Sequence, residues 1–306
     1  MEKHLAAAFY PLATYGYGRS QAYRQSTPQG SVFKLVVGYQ ALLERYAMLK
    51  SWQSQLEDLN PLTIIDEPQW HPKPRSPEQI LGYTLDKKPI TRSYKGGLLL
   101  KSHPHIGKID ILGALEQSSN IYFSLLASDC ISDPSHLIEA SKRLGFGEKT
   151  GIDLPGEIRG FLPEDLNYNR SGLYAFAIGQ HSLVVTPLQT AVMLSAIANK
   201  GHILKPKLIQ VIAGEESLRD YQEPFSLTRY PFQKHLSSIG IDFPLFTAAS
   251  PSEESPQVWY HAPEYKWSVP MPDSVRSALI TGMQRVMIGK KGTARPEIIR
   301  ALATLS

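Results

Sequence analysis

Residues 27–39 read TPQGSVFKLVVGY, and the run continues as QALLERYAMLK to residue 50. Apolar side chains at Phe33, Val36, Val37, Leu42, Leu43, Tyr46 and Met48 recur near helical spacing, which predicts a helix with a buried face. Gly30 and Ser31 suit its N-terminus. On such a helix Ser31 and Lys34 stand at i and i+3 and share a face, one turn apart. Two readings of that pair stay open. One is surface decoration. In the other, Lys34 removes the proton of the Ser31 hydroxyl, because burial or neighbouring positive charge lowers a lysine's pKa toward neutrality. Backbone N–H groups at the helix start would then stabilise a developing oxyanion. This is the only Ser-x-x-Lys in the chain.

Size and composition frame that reading. A chain of 306 residues can bury a large core in one or two domains. Its 42% hydrophobic and 20% charged content is that of an ordinary globular protein. The formal net charge is +4, from 32 basic and 28 acidic side chains, without a dense basic run, so nucleic acid is not an expected partner. The single cysteine, Cys130, excludes an internal disulfide and a cysteine-based zinc site. The nine histidines show no metal spacing, and His103 and His105 read as loop surface. The N-terminal run LAAAFYPLA is short and broken by proline, so a signal peptide is not expected. No stretch reaches the ~18 apolar residues of a membrane span.

Along the chain, residues 1–30 read as short strand and turn, and 60–105 as irregular. Within them DEPQWHPKPRSPEQ is a proline-rich surface loop, and RSYKGGLLLKSHPHIG a turn joining short strands. From Lys108, KIDILGALEQSSNIYFSLLASDC predicts two helical segments broken near Gln117–Asn120. DPSHLIEASKRLGFG is a helix ended by glycine, and TGIDLPGEIRGFLP a loop of turns. GLYAFAIGQHSLVVTPLQTAVMLSAIANKG holds a Gly-rich turn and then a helix, with Pro187 in its first turn and Gly201 closing it. HILKPKLIQVIAG reads as strand, and DSVRSALITGMQRVM as a helix with Asp273 as N-cap. Residues 215–270, rich in proline and aromatics, form a variable insertion or loop region. Its Tyr and Trp are read as core or loop anchors, and Glu253 and Glu254 as solvated.

The predicted break contains Ser118-x-Asn120, the only Ser-x-Asn in the chain. A serine there relays a proton and an amide holds a carbonyl or a lysine; alternatively the two are helix caps. With this motif the sequence resembles a family. STPQGSVFK, ALEQSSNIYF, LGFGEKTGIDLPGE and AIGQHSLVVTPLQTAVMLSAIANKG, in this order, are similar to the transpeptidase domain of penicillin-binding proteins, and most to the class that builds septal or elongating cell wall. The resemblance covers Arg24 to Gly201 and resumes at ITGMQRVMIGKKGTAR.

The resemblance implies a mixed α/β (α+β) fold: a five-stranded antiparallel sheet between helices, beside an all-helical part carrying Ser118 and Asn120. It implies Ser31 as nucleophile on the D-Ala-D-Ala end of a peptidoglycan stem peptide, and Lys34 as its base. Ser118 would pass a proton to the leaving amine, and Asn120 would position Lys34 and the substrate carbonyl. β-Lactams would acylate Ser31, cell-wall synthesis or division proteins would be partners, and the implied mechanism needs no metal or cofactor. The implied location is the periplasmic face of the cell inner membrane. A β-lactamase or D,D-carboxypeptidase on the same fold, or a catalytically silent remnant, are the competing functions.

The family's third motif is Lys-Thr-Gly on a core strand. Lys149-Thr150-Gly151 comes too soon after Asn120 and reads as loop. In GKKGTAR, two registers stay open. Either Val286–Ile288 is the strand and Lys290 and Thr293 bind the substrate carboxylate, or this is the helix and turn preceding a catalytic strand beyond Ser306. The second register makes the chain a fragment, truncated before its third motif and lacking an anchor.

Overall fold

The helix predicted from residues 31–50 is buried on every side over its first half, which makes it the centre of the molecule rather than a half-exposed flank. The computed structural model describes residues 20–24, 26–52, 58–69, 78–93, 106–208, 211–213, 258–260 and 262–295. A 3-10 turn, Gly30–Phe33, runs directly into α1, Lys34–Ser51. Every residue of α1 from Lys34 to Leu42 is buried. At Gly38 an added Cβ would lie 3.5 Å from Leu279, 3.7 Å from Ile111 and 3.8 Å from Phe123. Three other helices therefore meet α1 at that one position.

Antiparallel strands follow: β1 Ile64–Asp66, β2 Glu78–Tyr83, β3 Pro89–Ser93 and β4 Gly107–Ile109, in sheet order β3-β2-β1-β4. Strands β1 to β3 correct the irregular reading where they lie, and most of DEPQWHPKPRSPEQ and of RSYKGGLLLKSHPHIG lies outside the described residues. β1 is three residues long and flanked by prolines, so its signal is in its partners: Ile64 opposite Ile109 and Ile65 opposite Tyr83. Gly82 sits at a bulge where a Cβ would come within 2.4 Å of the Ile65 carbonyl oxygen, the close approach that favours glycine in a strand. His103 and His105 lie outside the described residues.

Helices α2, Ile111–Glu116, and α3, Asn120–Leu125, flank the predicted break. Asp110 caps α2 by accepting from the Gly113 N–H, and Ser119 caps α3 by accepting from that of Tyr122. A π-helical turn, Leu126–Cys130, leads to α4, Pro134–Arg143. The loop from 144 to 169 carries Lys149-Thr150-Gly151. Helix α5, Arg170–Phe176, occupies what was read as part of a turn. Helix α6, Pro187–Ala198, opens with a capping box between Thr186 and Gln189. The fully buried Gln189 amide also donates to the carbonyls of Glu148 and Arg159, tying α6 to that loop.

Strand β5, His202–Leu204, pairs antiparallel with β8, Tyr265–Ser268. The predicted strand at HILKPKLIQVIAG is two strands, because β6, Val211–Ala213, pairs separately with β7, Val258–Tyr260. Contacts divide the chain into two compact units, Met1–Lys205 with Tyr265–Ser306, and Pro206–Glu264, which holds β6 and β7. Glu253, Glu254 and most of the expected insertion at 215–270 lie outside the described residues.

The last described helix, α7, spans Asp273–Ile288. Its N-cap is Pro272 and no side chain caps it, so Asp273 stands one residue inside, not at the cap. Val286–Ile288 is the end of this helix, which overturns the strand required by the first register of GKKGTAR. The fold is mixed α/β, with antiparallel strands and flanking helices. Among the described residues the strands form one sheet of four and two pairs, not the expected sheet of five.

Candidate active site

Ser31, Lys34, Ser118 and Asn120 meet at the start of α1. Lys34 is 1% exposed, and its Nζ lies 2.7 Å from the Ser118 carbonyl oxygen, 2.7 Å from Asn120 Oδ1, 2.8 Å from Ser118 Oγ and 3.2 Å from Ser31 Oγ. Ser118 Oγ is 3.0 Å from Ser31 Oγ. Burial pushes the Lys34 pKa down to about 7, because a charged amine loses hydration that a neutral one does not need. The Phe123 ring, 5.8 Å away, closes one side of the amine.

The four partners differ in kind. The Ser118 carbonyl and the Asn120 amide oxygen only accept, whereas the two hydroxyls also donate. A neutral amine has two N–H bonds and one lone pair. With both N–H bonds given to the two pure acceptors, the lone pair is left for a hydroxyl proton. In its neutral form Lys34 can thus accept a hydroxyl proton, with Ser118 Oγ at 2.8 Å and Ser31 Oγ at 3.2 Å both in reach.

Local structure explains the convergence. The 3-10 turn brings Ser31 out to solvent while Phe33 and Lys34 turn inward. Phe33 is fully buried, its ring 4.6 Å from that of Phe176 and 6.2 Å from that of Phe146, and it anchors the turn. Ser118 has φ 54°, the left-handed region, which is uncommon for a residue with a Cβ. That conformation turns its carbonyl and its hydroxyl to the same amine. Sequence reasoning named the hydroxyl and missed the carbonyl.

Two other features escaped the sequence. Residues around Ser31 are fixed from behind by the turn after α5: the Gly30 N–H donates to the Gly179 carbonyl at 2.8 Å, and Thr27 bridges Val185. The glycine of AIGQ was the available signal. Ser119 and Asp66 form a fully buried pair next to Ser118, with no sequence signal beyond the cap.

Lys149-Thr150-Gly151 is not brought to this cluster. The Glu157 carboxylate accepts from the Thr150 N–H at 2.8 Å, from the Thr150 hydroxyl and from the Gly151 N–H at 2.9 Å, closing a self-contained turn. Lys290 and Thr293 are not brought to it either. They are exposed on the turn after α7, whose backbone bonds run to Glu116: the Lys291 N–H to Oε1 at 3.0 Å and the Thr293 N–H to the carbonyl at 3.2 Å. Among the described residues no group of three or more His, Cys, Asp and Glu could hold a metal ion, and no helix is long and apolar enough to cross a membrane.

Comparison with known proteins gives the chain's family. Residues 85–295 match the family model for the penicillin binding protein transpeptidase domain. The chain is 34% identical over 130 residues to penicillin-binding protein H of Bacillus subtilis, covering 38% of this chain and 18% of that protein. It is 27% identical over 133 residues to peptidoglycan D,D-transpeptidase MrdA of Acinetobacter baumannii, covering 41% and 18%. The chain thus spans less than a fifth of the length of these curated relatives. The crystal structure of Pseudomonas aeruginosa PBP2 superposes with a TM-score of 0.53 at 18% identity, covering 97% of this chain and 52% of that one. That likeness shows the fold.

Proposed function

The chain belongs to the penicillin-binding protein transpeptidase family, and from that premise we propose that it is a serine-type D,D-transpeptidase acting on peptidoglycan stem peptides. Ser31 Oγ attacks the carbonyl carbon between the two terminal D-alanines while Lys34 Nζ takes the hydroxyl proton. Ser118 passes a proton to the departing amine, the C–N bond breaks and free D-alanine leaves. The acyl group stays as an ester on Ser31. The amine of a second stem peptide then attacks that ester, giving the cross-link and restoring the Ser31 hydroxyl. Asn120 holds the amine of Lys34 and the substrate carbonyl. A β-lactam presents a strained amide to the same serine and leaves a stable ester.

The observation that carries this reading is the placement of one buried amine within 3.2 Å of both serine hydroxyls and 2.7 Å from two carbonyl-type oxygens. Nucleophile and base lie within the hydrogen-bond reach that activation of a hydroxyl needs. The periplasmic face of the inner membrane, and contact with cell-wall synthesis or division proteins, belong to this same proposal. The test is intact-mass and peptide-mass analysis after incubation with a penicillin, beside Ser31→Ala. A stable adduct on Ser31, absent from the variant, is expected. Rapid turnover of the adduct by water would move the assignment to a hydrolase. No adduct on folded protein would make the chain a silent member of the family.

A further inference from the structure

The segment read from sequence as irregular, residues 60–66, is hydrogen-bonded to the α2–α3 pair at three points. The Asn60 side-chain oxygen accepts from the Ile111 N–H at the start of α2, 3.1 Å away. The Leu62 carbonyl accepts from the Tyr122 hydroxyl at 2.7 Å. Asp66 Oδ2 accepts from the Ser119 hydroxyl at 2.5 Å, and both residues are 0% exposed. Ser119 lies between Ser118 and Asn120, the two residues whose oxygens hold Lys34. A carboxyl group buried in a core loses a large hydration energy, so a fully buried aspartate beside the site calls for a role.

Resting on the acyl-enzyme reading above, we propose that Asp66 is a positioning residue for the reaction, acting through Ser119 on Ser118 and Asn120. The mechanism lies in the single hydrogen of a hydroxyl. Ser119 Oγ gives that hydrogen to Asp66, so its lone pairs face the Tyr122 N–H, 3.0 Å away, and cap α3. The Asp66 carboxyl thereby fixes the polarity of the cap. The cap fixes where α3 begins, and its first residue is Asn120. The same anchoring holds Ser118 in its left-handed conformation, with its carbonyl on Lys34. Strand β1 is in this sense a splint for the turn that orients the base. Without Asp66 the Ser119 hydroxyl loses the buried partner that fixes its rotamer, the cap loosens, and the two acceptors of Lys34 drift.

The experiment compares the full chain with Asp66→Asn, Asp66→Ala, Ser119→Ala and the control Ile90→Ala, which removes a partly buried side chain on β3 away from the turn. Two readouts are taken. Hydrogen–deuterium exchange follows the peptide covering Ser118–Leu125 and needs no activity. Acylation by a fluorescent penicillin is split into its binding constant and its first-order rate. Asp66→Ala and Ser119→Ala are expected to speed exchange in that peptide and to slow the acylation rate by about tenfold or more, the scale of a small misplacement of a reacting group. Binding should stay within about threefold of the parent, by the same argument. Asp66→Asn, which keeps an accepting oxygen, is expected to recover part of the rate. Ile90→Ala should lower stability without moving either readout at the turn. Unchanged exchange and an unchanged rate in Asp66→Ala and Ser119→Ala would overturn the proposal, as would an equal loss of rate in Ile90→Ala. If the parent chain takes no adduct, the transpeptidase reading fails by itself, and exchange still decides on the splint: faster exchange confined to Ser118–Leu125 supports it and unchanged exchange removes it.

Discussion

Gly179 carries its carbonyl 2.8 Å from the amide nitrogen of Gly30, one residue before Ser31, and does so at φ +75°. An added Cβ at Gly179 would stand 1.9 Å from the Gly30 carbonyl oxygen. Gly30 is also left-handed, at φ +66°, yet a Cβ there would meet nothing within 4 Å. The two glycines share a backbone requirement and differ in space, so they separate strain from collision.

Gly30→Ala should cost about 1–2 kcal/mol, the penalty of a side chain in the left-handed region, and leave acylation of Ser31 measurable. Gly179→Ala adds a backbone clash that only movement of the 27–31 segment relieves. A loss of more than about 3 kcal/mol, or a folded protein whose acylation falls by about a hundredfold, is expected. Denaturant unfolding and penicillin labelling of both variants check this. Equal effects would show that the contact between the two turns is dispensable.

Glu157 offers a test of the loop that holds Lys149-Thr150-Gly151. Its carboxylate is buried and receives three donors, two of them backbone N–H groups. Glu157→Ala strands all of them, and about 2–4 kcal/mol of stability should be lost. Lys149→Met should leave both stability and Ser31 acylation near the parent's, because it is the lysine's carbonyl that is hydrogen-bonded, accepting from the Lys266 amine at 2.8 Å. A large loss of acylation in Lys149→Met would bring that triplet back as the substrate-binding motif.

The helix that carries Ser31 and Lys34 was legible because its information is local. Ser31 and Lys34 are one turn apart, and the apolar spacing that follows fixes the helix. Ser118 and Asn120 were legible as a break between two helical runs, given a role by the family resemblance. The sheet of β1 to β4 was not legible, because strands of three to six residues among prolines carry no alternation long enough to read. Helix α5 failed for a related reason: seven residues including Gly172 give two turns, and its stability comes from packing Phe176 against Phe33, a long-range contact. The parts of the site that stayed hidden, the Ser118 carbonyl, the Gly179 turn and the Asp66–Ser119 bond, are all backbone or tertiary relationships. None changes the residue types that a motif displays.

Lys34 makes both activity and stability depend on pH, and the two signs follow from one proton. Burial lowers its pKa from 10.5 to about 7. The base is competent when neutral, so acylation should rise with pH through a midpoint near 7. For stability, between 7 and 10.5 the unfolded chain holds the proton and the folded chain has released it. The unfolded state then binds more protons, so stability rises with pH across that window, by up to about 1.4 kcal/mol per unit. Below the folded value both states hold the proton and this contribution is flat. Lys34→Met should remove that slope relative to the parent in denaturant titrations from pH 6 to 10. An identical slope in parent and variant would mean that the amine keeps an ordinary pKa.

Ser118 sets function against stability at one residue. Its left-handed φ of 54° is unfavourable for a side chain, while its hydroxyl and carbonyl both serve Lys34. Ser118→Ala keeps the backbone strain and deletes the hydroxyl. Ser118→Gly deletes the hydroxyl and relieves the strain, at the price of some chain entropy. The glycine variant should therefore be the more stable of the two by about 1 kcal/mol, and both should acylate about a hundredfold or more slowly, within the range for loss of a positioned proton carrier. The comparison needs only melting temperatures and labelling rates on the same samples. If Ser118→Gly is the less stable variant, the left-handed conformation is not a strain that the site maintains. If both acylate at the parent's rate, the proton reaches the leaving group by another route, and Lys34 alone serves Ser31.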